Sequence, residues 1–153
     1  MMQLTIEKLL DKSAAPYDLL LLADPSKVIV DDYLSRGTCY IASWNNERVG
    51  VFVILQTRPD MAEIMNIAVK EADQGKGIGK KLLLNAIHLA KEMNFKTIEI
   101  GTGNSSIAQL ALYQKCGFRI VGVEPDFFVR HYVEDIYENG IQCRDMIRLR
   151  MNL

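Results

Sequence analysis

The chain of 153 residues carries 18 Lys and Arg against 19 Asp and Glu, a net charge of −1, which excludes the strongly basic surface that nucleic acid as main partner would need. Its length suits one domain over 1–153, large enough to bury about two thirds of its unfolded surface in a single core. Cys39, Cys116 and Cys143 are odd in number and widely spaced, so they read as reduced, mostly packed thiols of a cytoplasmic protein.

Charges at Glu7, Lys8, Asp11 and Lys12 argue against a signal peptide. The uncharged apolar run over 19–23 is too short to span a membrane. Leu4 and Ile6 alternate weakly and predict a first strand within residues 1–10. Ser13 serves as N-cap for a helix over 14–23, with Pro16 in its first turn and Leu19, Leu20 and Leu22 facing the core. Asp24-Pro25 opens a second short helix with Val28, Val30, Tyr33 and Leu34 apolar, and Arg36-Gly37 ends it. Residues 38–44 and 48–57 are strand-like runs around Asn45-Asn46-Glu47. Asparagine tolerates left-handed backbone, so this unit is an antiparallel hairpin with Trp44 packed at its end. After the turn Arg58-Pro59-Asp60, residues 61–69 form a fourth strand, and a two-residue period puts Glu63, Met65, Ile67 and Val69 on one face.

The fourth strand gives way to Gln74-Gly75-Lys76-Gly77-Ile78-Gly79, and then to a helix with Ile78, Leu82, Ala86, Leu89 and Met93 at steps of three and four. Alternate glycines strip side chains from a turn that opens a helix. Its backbone N–H groups and the helix dipole can then converge on an anion, with Lys76, Lys80 and Lys81 adding charge. A plain structural turn is the competing reading. The pattern is neither a P-loop, which needs G-x-x-x-x-G-K-S/T, nor the dinucleotide motif G-x-G-x-x-G directly after a strand. Asn94 caps the helix in left-handed geometry. His88 has no second metal-spaced histidine, and no metal site is expected. Residues 96–101 form a fifth strand, 101–106 a turn whose Asn and Ser residues cap a helix over 107–116, 118–123 a sixth strand and 142–151 the last. Arg144, Arg148 and Arg150 alternate on that last strand and predict an exposed, charged edge. Between the last two strands lies an aromatic and acidic insert containing Phe127, Phe128, His131, Tyr132, Glu134 and Asp135. Rings with carboxylates suit a cationic ligand. A lid packed on the sheet, or a dimer contact, fits the same residues, so both monomer and homodimer remain open. Antiparallel strands feeding a strand–helix unit predict an α/β fold of the α+β type, with a mixed, mostly antiparallel sheet flanked by helices.

Val69 followed after four residues by Gln74-Gly75-Lys76-Gly77-Ile78-Gly79 resembles the acetyl-CoA signature of the GNAT superfamily of N-acetyltransferases, V-x-x-x-x-Q/R-G-x-G-x-G/A. Ala111-Leu112-Tyr113-Gln114-Lys115-Cys116-Gly117-Phe118 resembles that family's L-Y-x-K-x-G-F segment, at the family's separation. The resemblance covers residues 40–150. It implies acetyl-CoA as co-substrate, with its pyrophosphate on Gln74, Gly75, Lys76, Gly77, Ile78, Gly79 and Lys80. Its pantetheine arm would pair with the backbone of Ile67, Ala68 and Val69 like an added strand. It also implies an N-acetyltransferase acting on a primary amine of a small molecule or peptide by direct attack.

Within that resemblance, Glu63 matches the general base of histone-acetylating members. The chemistry agrees, because an ammonium of pKa about 10.4 must lose a proton before it attacks a thioester. A strand-end Glu that is merely solvated or paired is the competing reading. Tyr113 matches the general acid for the departing thiolate, against a simple packed aromatic. The family's coenzyme A contact, an Asn seven residues before that Tyr, falls on Ser106, and Asn104 stands two earlier, so the contact lies between these two. The resemblance puts the two short N-terminal helices beside the acceptor pocket, where Asp31 would meet a cationic substrate along with Phe128, His131 and Tyr132; a solvated pair with Asp32 is the plainer reading. Cys116 has no histidine base in its motif, which argues against an acetyl-cysteine intermediate. A non-catalytic acyl-CoA-binding or sensing module would carry the same donor motif.

Overall fold

The structure is a computed structural model and describes residues 3–153; the first two residues of the predicted opening strand lie outside the described residues. The chain runs β1 (Leu4–Lys8), α1 (Tyr17–Ala23), α2 (Lys27–Arg36), β2 (Thr38–Trp44), β3 (Glu47–Arg58), β4 (Met61–Val69), α3 (Ile78–Glu92), β5 (Thr97–Gly103), α4 (Ile107–Lys115), β6 (Arg119–Glu124), α5 (Phe127–His131), β7 (Tyr137–Glu138), β8 (Ile141–Gln142) and β9 (Met146–Asn152). Seven strands form one sheet in the order β1-β2-β3-β4-β5-β9-β6, and β7 and β8 form a separate short hairpin. Every neighbouring pair in the large sheet is antiparallel except β4 and β5, which are parallel. The predicted mixed, mostly antiparallel sheet is the one observed. Among the described residues, no helix is long and apolar enough to cross a membrane.

Local chemistry explains the elements that the sequence marked clearly. Asn45 and Asn46 adopt φ of 53° and 65°, the left-handed pair that a two-residue hairpin requires, and Trp44 pairs with Glu47 across it. Helix α3 buries Ile78, Leu82, Leu83, Ala86, Ile87 and Ala90 along one stripe and ends ahead of Asn94 at φ 67°. That stripe packs on Phe52, Ile54 and Ile64 of the sheet. The approach is close: a Cβ on Gly50 would stand 2.8 Å from Leu82 Cδ1. Helices α1 and α2 cover the opposite face, placing Leu19, Leu20, Val30, Tyr33 and Leu34 on Ile41, Val51, Val53 and Leu55. Each large side chain buried this way contributes roughly 1.5–3 kcal/mol.

Several predicted details differ, the helix starts for local reasons and the last strand through its pairing. Asp11, rather than Ser13, is the capping residue. Its carboxylate accepts from the Ser13 backbone N–H at 3.0 Å and its hydroxyl at 2.7 Å, holding Lys12–Ala14 in a single 3-10 turn and delaying α1 to Tyr17. Helix α2 starts at Lys27, where the Ser26 hydroxyl accepts from Ile29 N–H at 3.3 Å. Leu22 and Val28 fall on solvent-facing sides of their helices and are exposed. The last strand begins at Met146 and slots between β5 and β6, so β6 is the edge. The arginines expected on an edge are instead paired with carboxylates: Arg150 with Glu99 at 2.6 Å, Arg148 with both Glu63 and Glu124 at 3.8 Å, and Arg144, outside the strand, with Asp126 at 2.6 Å.

Candidate active site

Strands β4 and β5 are hydrogen-bonded in register only over residues 61–64 and 97–100. Beyond that point β4 continues against β3, and residues 101–103 of β5 continue against β9. The two facing edges therefore part. The partner of Val53 is Asn66 and that of Ile54 is Ile64, so Met65 is an extra residue in β4, a β-bulge at the mouth of the split. The bulge overturns the simple two-residue period. Ile64 and Ile67 pair with Ile54 and Phe52 on the α3 side, whereas Glu63, Asn66 and Ala68 pair with Leu55, Val53 and Val51 on the α1 and α2 side. Glu63 and Ile67 thus point to opposite faces of the sheet.

The split opens a cleft of about 790 Å³ whose wall includes residues 64–69, residues 100–103, Gln74, Gly75, Ile78, Gly79, Ser106 and Tyr113. This volume suits a ligand of small-molecule or cofactor size. Glycine at 101 and 103 is a matter of space. A Cβ on Gly101 would stand 2.5 Å from Met146 Sδ, and one on Gly103 would collide with Cys143 Sγ.

At one end of the cleft lies the glycine turn. Gly75 and Gly77 both have φ of 80°, and a Cβ on either would meet nothing within 4 Å, so the open backbone faces free space. Gly77 is the N-cap of α3 and supplies no side-chain cap, which leaves the first N–H groups of the helix as donors for an anion. The chemistry fits a pyrophosphate. The exposed Gln74 carboxamide folds back on the chain, donating to the Val69 carbonyl at 3.0 Å and stitching the loop to the strand end. Lys76 pairs with Asp73 at 3.1 Å and lies 5.8 Å over the Trp44 ring; Lys80 is exposed on the first turn of α3. Ile78 is buried and anchors the turn in the core.

The Tyr113 ring is buried, lines the cleft and stands 6.3 Å from Phe118. Burial pushes its phenol above its ordinary range, so the hydroxyl keeps its proton at neutral pH. Glu63 is two residues before the bulge and outside the cleft wall itself, with a side chain 16% exposed. Burial raises its carboxyl pKa, the Arg148 guanidinium at 3.8 Å opposes that shift, and Glu99 beside it adds to it.

The structure separates the other predicted residues. Ser106 lines the cleft, and its hydroxyl donates to Glu138 at 3.0 Å instead of capping α4. Asn104 is held elsewhere. Its side-chain oxygen accepts from the backbone N–H of Arg144 and Asp145 at 2.8 and 2.9 Å, and its amide donates to the Gln142 carbonyl at 3.1 Å. Phe128 and Tyr132 line the cleft with rings 5.4 Å apart. His131 is exposed against Phe127, and Asp31 does not line the cleft, accepting instead from the Tyr17 hydroxyl at 2.6 Å and Lys27 at 2.8 Å. Asp24, Asn66 and Glu138 also form the wall and escaped the sequence reading. An asparagine inside the apolar run of β4 was a usable signal for one of them; nothing local marks the other two.

The model of the Acetyltransferase (GNAT) family matches residues 7–118. An uncharacterized N-acetyltransferase, YvbK, of Bacillus subtilis (strain 168) is 66% identical over 137 residues, covering 90% of this chain and 88% of its own. A solved structure titled IAA acetyltransferase from Bacillus cereus is 56% identical with a TM-score of 0.96, covering 99% of this chain and 100% of that one. A GNAT family acetyltransferase from Elizabethkingia anophelis, solved with acetyl-CoA bound, is 50% identical with a TM-score of 0.96 over 98% of both chains. The chain described here belongs to the Acetyltransferase (GNAT) family.

Proposed function

We propose that this protein, with residues 1–153 acting as one catalytic unit, transfers the acetyl group of acetyl-CoA to a primary amine of a small molecule or peptide by direct attack. The observation that carries the reading is the continuous cleft between the parted β4 and β5 edges, which joins the open glycine turn to Tyr113. Backbone N–H groups between Gly75 and Lys80 hold the pyrophosphate. The unpaired edge of residues 65–69 hydrogen-bonds the pantetheine arm as an added strand, and one of its N–H groups is aimed at charge developing on the acetyl oxygen. Ser106 supports the same arm; Asn104, whose side chain is fully engaged, serves the fold. Acetyl-CoA supplies an acyl group activated as a thioester.

Glu63 is the general base. Because it stands outside the cleft wall, it takes the ammonium's proton through water. Its raised pKa suits that task, since a carboxylate with higher proton affinity is the stronger base. Tyr113 is the acid at the leaving sulfur. Its phenol is weaker than a thiol, whose pKa is about 8.5, so its contribution is mainly the hydrogen bond it donates to the departing thiolate.

The test is acetyl-CoA-dependent thiol release against a panel of primary amines. Wild type turns over, Glu63→Gln lowers kcat/KM by about 10²-fold or more, and Tyr113→Phe lowers kcat by about 10²-fold. Equal rates in both variants overturn the two roles. Coenzyme A binding without turnover on any amine favours an acyl-CoA-sensing module.

A further inference from the structure

Asp24, at the junction of α1 and α2, is a carboxylate only 8% exposed that forms part of the cleft wall. Its Oδ1 accepts from the Tyr132 hydroxyl at 2.8 Å and the Ser26 backbone N–H at 3.2 Å, and its Oδ2 from the Tyr33 hydroxyl at 3.1 Å. All three donors are neutral. The nearby Lys27 is paired with Asp31 at 2.8 Å. An ionised carboxylate offers about four acceptor sites, so one position on Oδ2 is left, and the charge is hydrogen-bonded without being neutralised. Buried charge of this kind is costly unless a cation joins it.

The polar network continues inward with the same deficit. The Tyr33 hydroxyl accepts from Asn66 Nδ2 at 2.8 Å, whose second hydrogen goes to the Leu20 carbonyl at 2.9 Å. Asn66 Oδ1 is left buried with no partner, in a residue 4% exposed that borders the same cleft. On one wall, therefore, Asn66 Oδ1 has no donor and Asp24 Oδ2 has one acceptor position left. Across the whole wall, among the described residues, there are four carboxylates (Asp24, Asp73, Asp135 and Glu138) and no Lys, Arg or His. Phe128 and Tyr132 add ring faces suited to a cation.

We infer that Asp24 is the anchor for a second, non-reacting cationic group of the acceptor, and that the substrate class is a diamine or longer polyamine without a carboxylate. The inference rests on the amine-transferase reading given under Proposed function. The anchored charge is not the amine that reacts, because a carboxylate held against an ammonium favours the protonated form and would oppose attack. A carboxylate on the substrate would lie on the wall that holds Asp24, Asp135 and Glu138, with no Lys, Arg or His among its described residues; the fourth carboxylate, Asp73, is paired with Lys76 at the glycine turn.

The experiment compares cadaverine, n-pentylamine and lysine as acceptors. The first differs from the second by one ammonium and from the third by one carboxylate. Wild type shows a kcat/KM for cadaverine at least about tenfold above the other two, the effect of one hydrogen bond to a charged group. Asp24→Asn raises KM for cadaverine and brings its ratio to pentylamine near one, while coenzyme A affinity stays within about twofold, which reports a folded donor site. Leu22→Lys adds a competing cation at an exposed position on the cleft wall and lowers the same ratio without touching the core. Equal rates for cadaverine and pentylamine, preference for lysine, or an unchanged ratio in Asp24→Asn that still binds coenzyme A overturn the inference alone. Failure of wild type on every amine of a wider panel, with coenzyme A bound, overturns the transferase reading and this inference with it.

Discussion

Burial holds the proton on Glu63 to higher pH than a carboxylate in water, with Arg148 pulling the other way and Glu99 reinforcing the shift. In the proposed role of base it works only when ionised, so the expected acid limb of the kcat/KM profile lies above the ordinary 4.5. Glu63→Gln removes that limb along with most of the activity. Arg148→Met takes away the one influence that lowers the pKa, and moves the limb to still higher pH. Stability follows with a definite sign. A raised pKa in the folded state stabilises the protonated form, fully below the unfolded value near 4.5 and decreasingly as pH rises through the folded one. At neutral pH the ionised side chain is a net cost, so thermal unfolding of Glu63→Gln at pH 7 occurs at the wild-type temperature or above, even as turnover falls. The identity of Glu63 as a candidate was legible from its place ahead of the glycine motif. Its place outside the cleft wall was not, because that depends on how far β4 and β5 stay paired, which nothing in the local sequence announces; Glu63 still pairs with Glu99.

Two elements separate binding from folding. Gly77 sits in left-handed backbone at φ 80° with open space where a side chain would begin. Gly77→Ala therefore costs about 1–2 kcal/mol from the backbone alone, read from the denaturation midpoint. Coenzyme A affinity drops at least about tenfold, by calorimetry, because the added methyl occupies the face that meets the anion. The turn after β5 gives the converse pair. Asn104→Ala leaves two N–H groups and a carbonyl without their partner in the segment leading into β9, a loss of about 1–3 kcal/mol, with KM for acetyl-CoA within about twofold of wild type. Ser106→Ala, which opens the cleft wall, raises that KM with little change in stability. The opposite outcome would exchange the roles of the two residues. The motif spacing left this choice open because both lie in one short turn; the segment about forty residues later engages both ends of the Asn104 carboxamide, whereas Ser106, bonded to Glu138, lines the cleft.

At the scale of the molecule, the donor cleft is a gap between two halves of one sheet, β4 staying with β3 and β5 with β9. On its wall, a hydrogen bond from Tyr132 to Asp24 joins residues 108 apart in sequence. A ligand lying along both edges ties the halves together, so coenzyme A at about 100 times its Kd raises unfolding free energy by about 2.7 kcal/mol, seen as a concentration-dependent rise in Tm. The sequence by itself determined the features set by neighbours within a few residues: the Asn45-Asn46 hairpin, the apolar stripe of α3, its Asn94 cap, the glycine turn and the family that turn denotes. These depend on backbone preference and periodicity, which act locally. The tertiary structure decided what depends on distant pairing. It placed β9 between β5 and β6, so that arginines patterned for an edge became partners of Glu99, Glu63 and Glu124. It bulged β4 at Met65, and it gathered Asp24, Asn66 and Tyr132 on one wall. Register and strand order are chosen by the burial and hydrogen bonding of the whole sheet, a sum over partners that no single stretch of chain contains.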